Sequence, residues 1–286
     1  MKIIALSNHQ CDLGEGPVWD TGAQALYWVD SLAPRIYRYD AGSRRSEVWE
    51  LAGNQIGSIA VREQGGLILA MDQGFYTFEP ETGRSEMIAQ PLAGRDRLRF
   101  NDGKVDPFGA FVSGAMNIDA HGSENCPMFR LTPEMDVIEV LEGFHCFNGP
   151  CFSPDGEQLY VSGREPGVIE VFDYGRRQQP RNGRKLLENC NPDGATVDAQ
   201  GFVWSAQWDD ACLLRISPTG QVDTRLPLPR QVVTSVMFGG AGLDVIYVTT
   251  AAVEYYGATP AGELPGRVLV VEESGFRGRP EPYFKG

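Results

Sequence analysis

The stretch from Asp193 to Trp204 reads DGATVDAQGFVW. An acid followed by Gly opens a short apolar strand, the residues from Asp198 to Gly201 make a polar turn, and Phe202 to Trp204 begins a second strand. By its punctuation this is a β-hairpin. The same unit recurs along the chain as EGPVWDTG from Glu15, GSIAVREQG from Gly57, NDGKVDPFG from Asn101, NGPCFSPDG from Asn148 and TSVMFGGAG from Thr234. The second strands of the six copies begin at Leu26, Leu67, Phe111, Leu159, Val203 and Ile246, with intervals between 41 and 48 residues.

Six near-equal copies, each with enough β-branched and aromatic residues for about four short strands, match the blade length of a β-propeller. Third strands are expected at Ile36 to Tyr39, Phe75 to Phe78, Phe129 to Leu131, Val168 to Phe172, Leu213 to Ile216 and Val268 to Val271. No capped segment with a 3.6-residue period stands out as a long helix. Two stacked β-sandwich domains would not require such regular spacing. The expectation is therefore one all-β domain over residues 1–286, a six-bladed β-propeller of four-stranded antiparallel blades. Because a ring must hide its edges, Ile3 to Leu6 is expected to pair in the last blade, and the Pro- and Gly-rich tail from Gly275 to Gly286 reads as a surface extension.

Bulk composition excludes several function classes. With 286 residues and 42% hydrophobic content the chain can bury a large core. A formal charge of -13 argues against nucleic acid, whose phosphates are met by clustered Lys and Arg. No apolar run is long enough to span a bilayer and none resembles a signal peptide, which points to a cytoplasmic protein without a membrane partner. The six Cys include no C-x-x-C pair, so free thiols are expected.

In a propeller the first strand of each blade lines the central channel. The leading residues of the six copies, Glu15, Gly57, Asn101, Asn148, Asp193 and Thr234, thus form a ring, and four of them carry a carboxylate or carboxamide. Any one alone reads as a turn residue. Together, converging carboxylates repel one another unless a cation neutralises them, and an oxygen-only set suits Ca²⁺, Mg²⁺ or Mn²⁺.

The segments LGEGPVW at 13–19, RFNDGKVDPFGAFVSGAM at 99–116, NGPCFSPDGEQLYV at 148–161, PDGATVDAQGFVW at 192–204 and FGGAGLDVIYVTTA at 238–251 closely resemble the senescence-marker-protein, regucalcin and gluconolactonase family. The resemblance covers nearly the whole chain and implies a six-bladed propeller. It implies one divalent metal ion, Ca²⁺ ahead of Zn²⁺, Mn²⁺ or Mg²⁺, with Glu15, Asn148 and Asp193 as ligands. It further implies substrate contacts from Arg99 and Asn101, and one from Asp119, where relatives commonly have the longer Glu. The implied reaction is hydrolysis of a sugar lactone to the aldonic acid, the cation polarising the carbonyl and Asp193 both ligating it and taking the proton of the attacking water. A cation lowers the proton affinity of its carboxylate, but it also acidifies water, so the transfer needs little driving force.

Two other functions are open at this level: a calcium-binding regulatory protein without turnover, and a promiscuous esterase or phosphotriesterase at the same metal. A monomer or weak homo-oligomer is expected. His121 and His145 lack H-E-x-x-H spacing and read as loop or packing residues, and a nucleophilic Cys146 or Cys151 beside Asn148 is disfavoured because no paired His is evident. The 119–125 stretch lacks the spacing of a Ca²⁺ loop and reads as a mobile loop near the channel mouth. Arg95, Asp96 and Arg97 read as solvated. Two departures from the family, Trp208 to Cys212 and Gly163 with Arg164, are expected to alter the pocket rim.

Overall fold

A computed structural model describes residues 1–119, 125–163, 167–176, 178–229 and 232–286. Among them the chain forms six four-stranded antiparallel sheets arranged as the blades of a propeller. The innermost strands are Gly14–Asp20, Ile56–Val61, Leu98–Val105, Phe147–Phe152, Pro192–Val197 and Val232–Gly239. All six begin within three residues of the leading positions read from the repeat. Five blades are built from consecutive strands, whereas the sixth takes its outer strand from the N-terminus. Lys2–Ala5 pairs antiparallel with Leu269–Glu272, Ile3 opposite Val271, as edge protection required.

Second strands such as Ala25–Asp30, Leu67–Met71 and Phe111–Asn117 are buried along their whole length because a blade packs on each of their faces. Outermost strands such as Arg45–Glu50 and Arg84–Ala89 are largely exposed and accordingly charged. Aromatic side chains fill the wedges between blades. Phe75 meets Phe100 at 4.5 Å between centroids, and Trp204 meets Phe238 edge-on at 5.6 Å.

Each inner strand breaks register with its neighbour where it passes the channel mouth. The irregularities fall between Glu15 and Val18, Ile56 and Ser58, Phe100 and Gly103, Asn148 and Cys151, Pro192 and Ala195, and Val233 and Ser235. A bulge bends the strand and re-aims its side chains. Four of the six leading residues, Glu15, Asn101, Asn148 and Asp193, stand beside these breaks and line one pocket. Gly149 shows what this demands of the backbone: its φ is +51°, and a Cβ there would stand 2.7 Å from the Asp193 carbonyl oxygen of the next blade.

The C-terminal segment is not a surface extension. Phe284 is fully buried in the core shared by the second, third and fourth blades. Its amide donates to Val61 O at 2.9 Å and its carbonyl accepts from Glu63 N at 2.8 Å. Upstream, Tyr283 Oη donates to Asp20 at 2.6 Å, and Glu281 pairs with Lys104 at 3.3 Å while accepting from Thr196 Oγ1 at 3.2 Å. The tail thereby crosses the lower end of the channel, where Glu281 and Pro282 line a cavity with Asp102, Lys104 and Met237. Pro and Gly suited the tail to a path across several blade ends rather than to solvent.

No helix among the described residues is long and apolar enough to cross a membrane. His121, Arg164 and most of the 119–125 stretch lie outside the described residues.

Candidate active site at the channel mouth

Glu15, Asn101, Asn148 and Asp193 are brought together in one pocket at the upper end of the channel, with Arg99 beside them. They come from four blades, so no two are close in sequence. Asn148 and Asp193 are each 6% exposed and Arg99 is 4% exposed. The Gly16 amide donates to Glu15 Oε2 at 3.1 Å. Scarce solvent, then the Asp193 and Asp102 carboxylates, push the Glu15 carboxyl well above its ordinary range, and the Gly16 amide and Arg99 offset only part of this. Among the described residues Glu15 has no basic group within 4 Å.

Asp102 points below the ring. Its carboxylate accepts from Gly103 N at 2.8 Å and Gly149 N at 2.9 Å. Burial raises its pKa, countered by Lys104 and by those two amides. Asp102 therefore fastens the bulge of the third blade to that of the fourth, directly beneath Asn148.

Asn101 organises the same junction. Its Nδ2 donates to Asn148 Oδ1 at 2.5 Å and to Phe147 O at 2.9 Å, and it approaches Cys146 Sγ at 3.4 Å. Its Oδ1 accepts from Arg99 Nη1 at 3.1 Å. The Asn148 carboxamide oxygen is held in place by one bond, and its second lone pair stays available for another partner.

The donor set fits a divalent cation. Two carboxylates and a carboxamide oxygen line one pocket, and burial, followed by the Asp193 and Asp102 carboxylates, raises Glu15, a penalty on its charge that a hard cation would relieve. Among the described residues no three His, Cys, Asp or Glu side chains form a cation cage; the set reaches three oxygen donors only with Asn148. Three protein donors leave coordination positions for water or substrate.

Asp119 is not brought to the pocket. Its carboxylate meets Arg97 at 3.2 Å on the rim, with side chains 52% and 71% exposed. In its place the pocket acquires residues that the spacing arguments had set aside. His145 and Cys146 line it, and so does Trp208 from the bulky turn of the fifth blade. Tyr255 and Tyr256, from the segment joining Val245–Ala251 to Leu269–Glu272, complete a roof. Arg99 Nη2 donates to Tyr255 Oη at 3.3 Å, and Tyr256 Oη donates to Asn117 O at 3.0 Å. Those bonds carry the sixth blade's loop across the mouth to the third blade, on the opposite side of the ring. Tyr255 lies 4.6 Å from Tyr256 and 6.3 Å from Trp208 between ring centroids. No periodicity marks such a loop; the only signal in the sequence was two adjacent Tyr in a Gly- and Pro-rich connection.

A family model described as SMP-30/Gluconolactonase/LRE-like region matches residues 13–252. The chain belongs to this family. It is 35% identical over 246 residues to a 6-deoxy-6-sulfogluconolactonase of Pseudomonas putida, covering 84% of this chain and 83% of that protein. It is 31% identical over 271 residues to the pentonolactonase XacC of Haloferax volcanii, covering 92% and 90%. Among solved structures, a luciferin-regenerating enzyme superposes with a TM-score of 0.91 at 25% identity, over 100% of this chain and 99% of that one. The family assignment bears out the resemblance drawn from the motifs, and that superposition agrees with the propeller.

Proposed function

We propose that this SMP-30/gluconolactonase-family protein hydrolyses a sugar lactone to its aldonic acid with the help of a divalent cation. The observation that carries the reading is the convergence of Glu15, Asn148 and Asp193 from three blades, with Arg99 in the same pocket. Two of its relatives are named as a 6-deoxy-6-sulfogluconolactonase and a pentonolactonase.

A divalent cation held by Glu15, Asn148 and Asp193 would supply Lewis acidity toward the lactone carbonyl oxygen. The chain's own residues then have separable tasks. Asp193 takes the proton of the attacking water and returns it to the ring oxygen as the ester bond opens. Arg99 and Asn101 hold polar groups of the sugar, Asn101 by exchanging its bond to Phe147 O or Cys146 for one to substrate. Its bond to Asn148 fixes the carboxamide oxygen that serves the cation. Trp208, Tyr255 and Tyr256 present ring faces to the apolar side of the sugar and limit water to what the reaction consumes. Asp119 reaches substrate only by releasing Arg97.

The test is proton release from a panel of aldonolactones by protein treated with chelator and by the same protein after Ca²⁺, Mn²⁺, Mg²⁺ or Zn²⁺ is restored. Turnover that vanishes with chelator and returns with one of these ions is expected. Undiminished turnover in chelator, or none under any condition, contradicts the reading.

A further inference from the structure

Two buried side-chain nitrogens of the pocket, Arg99 Nε and His145 Nε2, make no hydrogen bond among the described residues. Arg99 is 4% exposed, and its three hydrogen bonds go to neutral acceptors: Phe100 O at 2.8 Å, Asn101 Oδ1 and Tyr255 Oη. Its Nε is buried and unbonded. Among the described residues no carboxylate lies within 4 Å of it. His145 lines the same pocket, and its Nε2 is likewise buried without a hydrogen-bond partner.

The two sit on one wall. Arg99 pairs across strands with Met116, and Met116 bridges to Cys146, the neighbour of His145. Asn117 N donates to His145 O at 3.2 Å, and Cys126 Sγ approaches the same oxygen at 3.0 Å, so the backbone carrying the imidazole is fixed to the third blade. The aromatic group Trp208, Tyr255 and Tyr256 lines the same pocket.

A buried guanidinium without a counter-ion is costly. Glu15 balances part of this charge at longer range. Once Glu15 and Asp193 give their charge to a divalent cation, that balance is spent and Arg99 is left in excess. An imidazole Nε2 that carries its proton is a donor, and a buried donor left unbonded costs about 1–3 kcal/mol. Neutral hydroxyls would satisfy the hydrogen bonds but not the charge.

We infer that Arg99 and His145 form a subsite for an anionic group, a carboxylate, sulfonate or phosphate, on the sugar at a position away from the lactone carbonyl. This rests on the lactonase reading for the reacting end of the substrate. His145 is a specificity-determining residue in this arrangement, and it selects acidic sugar lactones over neutral ones.

The subsite is read by calorimetric titration of the cation-loaded protein with an unreactive matched pair, methyl glucuronide and methyl glucoside. The glucuronide is expected to bind at least about 10-fold more tightly, as for a charge-assisted pair of bonds. His145→Leu and His145→Gln, each checked for an unaltered melting transition, should both lose most of that advantage. Carboxylate bound only at the cation would keep its advantage in both variants, and this result overturns the inference, as does equal binding of the two sugars by the unmodified protein. In kinetics, the ratio of kcat/KM for a glucarolactone to that for the gluconolactone of the same ring size should fall about 10-fold in His145→Leu, chiefly through KM. Equal loss on both lactones would assign His145 to the reacting carbonyl and refute the subsite. Where the glucuronide advantage is present but no lactone is opened, the anion subsite stands and the hydrolysis reading fails.

Discussion

Phe284→Ala empties a fully buried position in the core of the second to fourth blades. The ring is out of solvent, and the flanking backbone is pinned by bonds from Phe284 N to Val61 O, from Glu63 N to Phe284 O and from Lys285 N to Gly109 O. Those bonds hold the surroundings in place and oppose collapse onto the void, so the variant falls toward the full cost of a Phe-to-Ala cavity, about 3–5 kcal/mol. For a domain of this size each kcal/mol lowers the melting temperature by about 2–4 °C, which gives a drop of about 6–20 °C. Thermal unfolding followed by far-ultraviolet circular dichroism reads it, with Phe284→Leu as a control that keeps much of the volume. A tail lying on the surface would lose less than about 0.5 kcal/mol. A shift under about 2 °C would therefore refute the claim that the segment carrying Phe284 belongs to the core.

Chelated protein should lose stability as pH rises above the ordinary Glu range of about 4.3. The Glu15 carboxyl is raised, so the folded state holds its proton longer than the unfolded state does; the advantage is complete below the unfolded value and is lost as pH climbs through the folded one. Glu15→Gln should flatten that part of the denaturation profile and melt higher than the unmodified protein in chelator at pH 8, and a lower melting point there would contradict the electrostatic account. Gly149→Ala should cost at least about 1–2 kcal/mol from φ alone, because the residue sits at +51° and the added carbon meets the Asp193 carbonyl; an unchanged denaturation midpoint would show that the bulge tolerates a side chain. Tyr256→Phe removes the bond to Asn117 O that ties the roof across the mouth. A loss of about 1 kcal/mol at the substrate, seen as a roughly five-fold rise in KM with little change in melting temperature, is expected, and an unaltered KM would remove the roof from substrate binding.

The blades were legible because each must bury its second strand and turn at fixed length, which writes a period of about 44 residues into the chain. The ring of Glu15, Asn101, Asn148 and Asp193 was legible for the same reason, since equivalent positions in a repeat share a location. What escaped were features that no repeat dictates. Tyr255 and Tyr256 enter the pocket through one long connection, and His145 enters through a bend between blades. The tail misled because Pro and Gly describe a chain that avoids regular structure, not one that avoids burial. Phe284 and Glu281 are held by partners 222 and 177 residues away, Arg62 and Lys104, and only the closed ring brings such residues together. Asp119 lies at the rim, where its carboxylate meets Arg97.

The most direct measurement of the central claim follows lactone hydrolysis and cation binding together, as free Ca²⁺ or Mn²⁺ is titrated into chelator-treated protein, with Asp193→Asn alongside. Hydrolysis by the unmodified protein should rise along the calorimetric occupancy curve, and Asp193→Asn should remain folded but nearly silent even at saturating cation. Turnover that ignores occupancy, or turnover by folded, cation-loaded Asp193→Asn at the unmodified rate, would contradict the account.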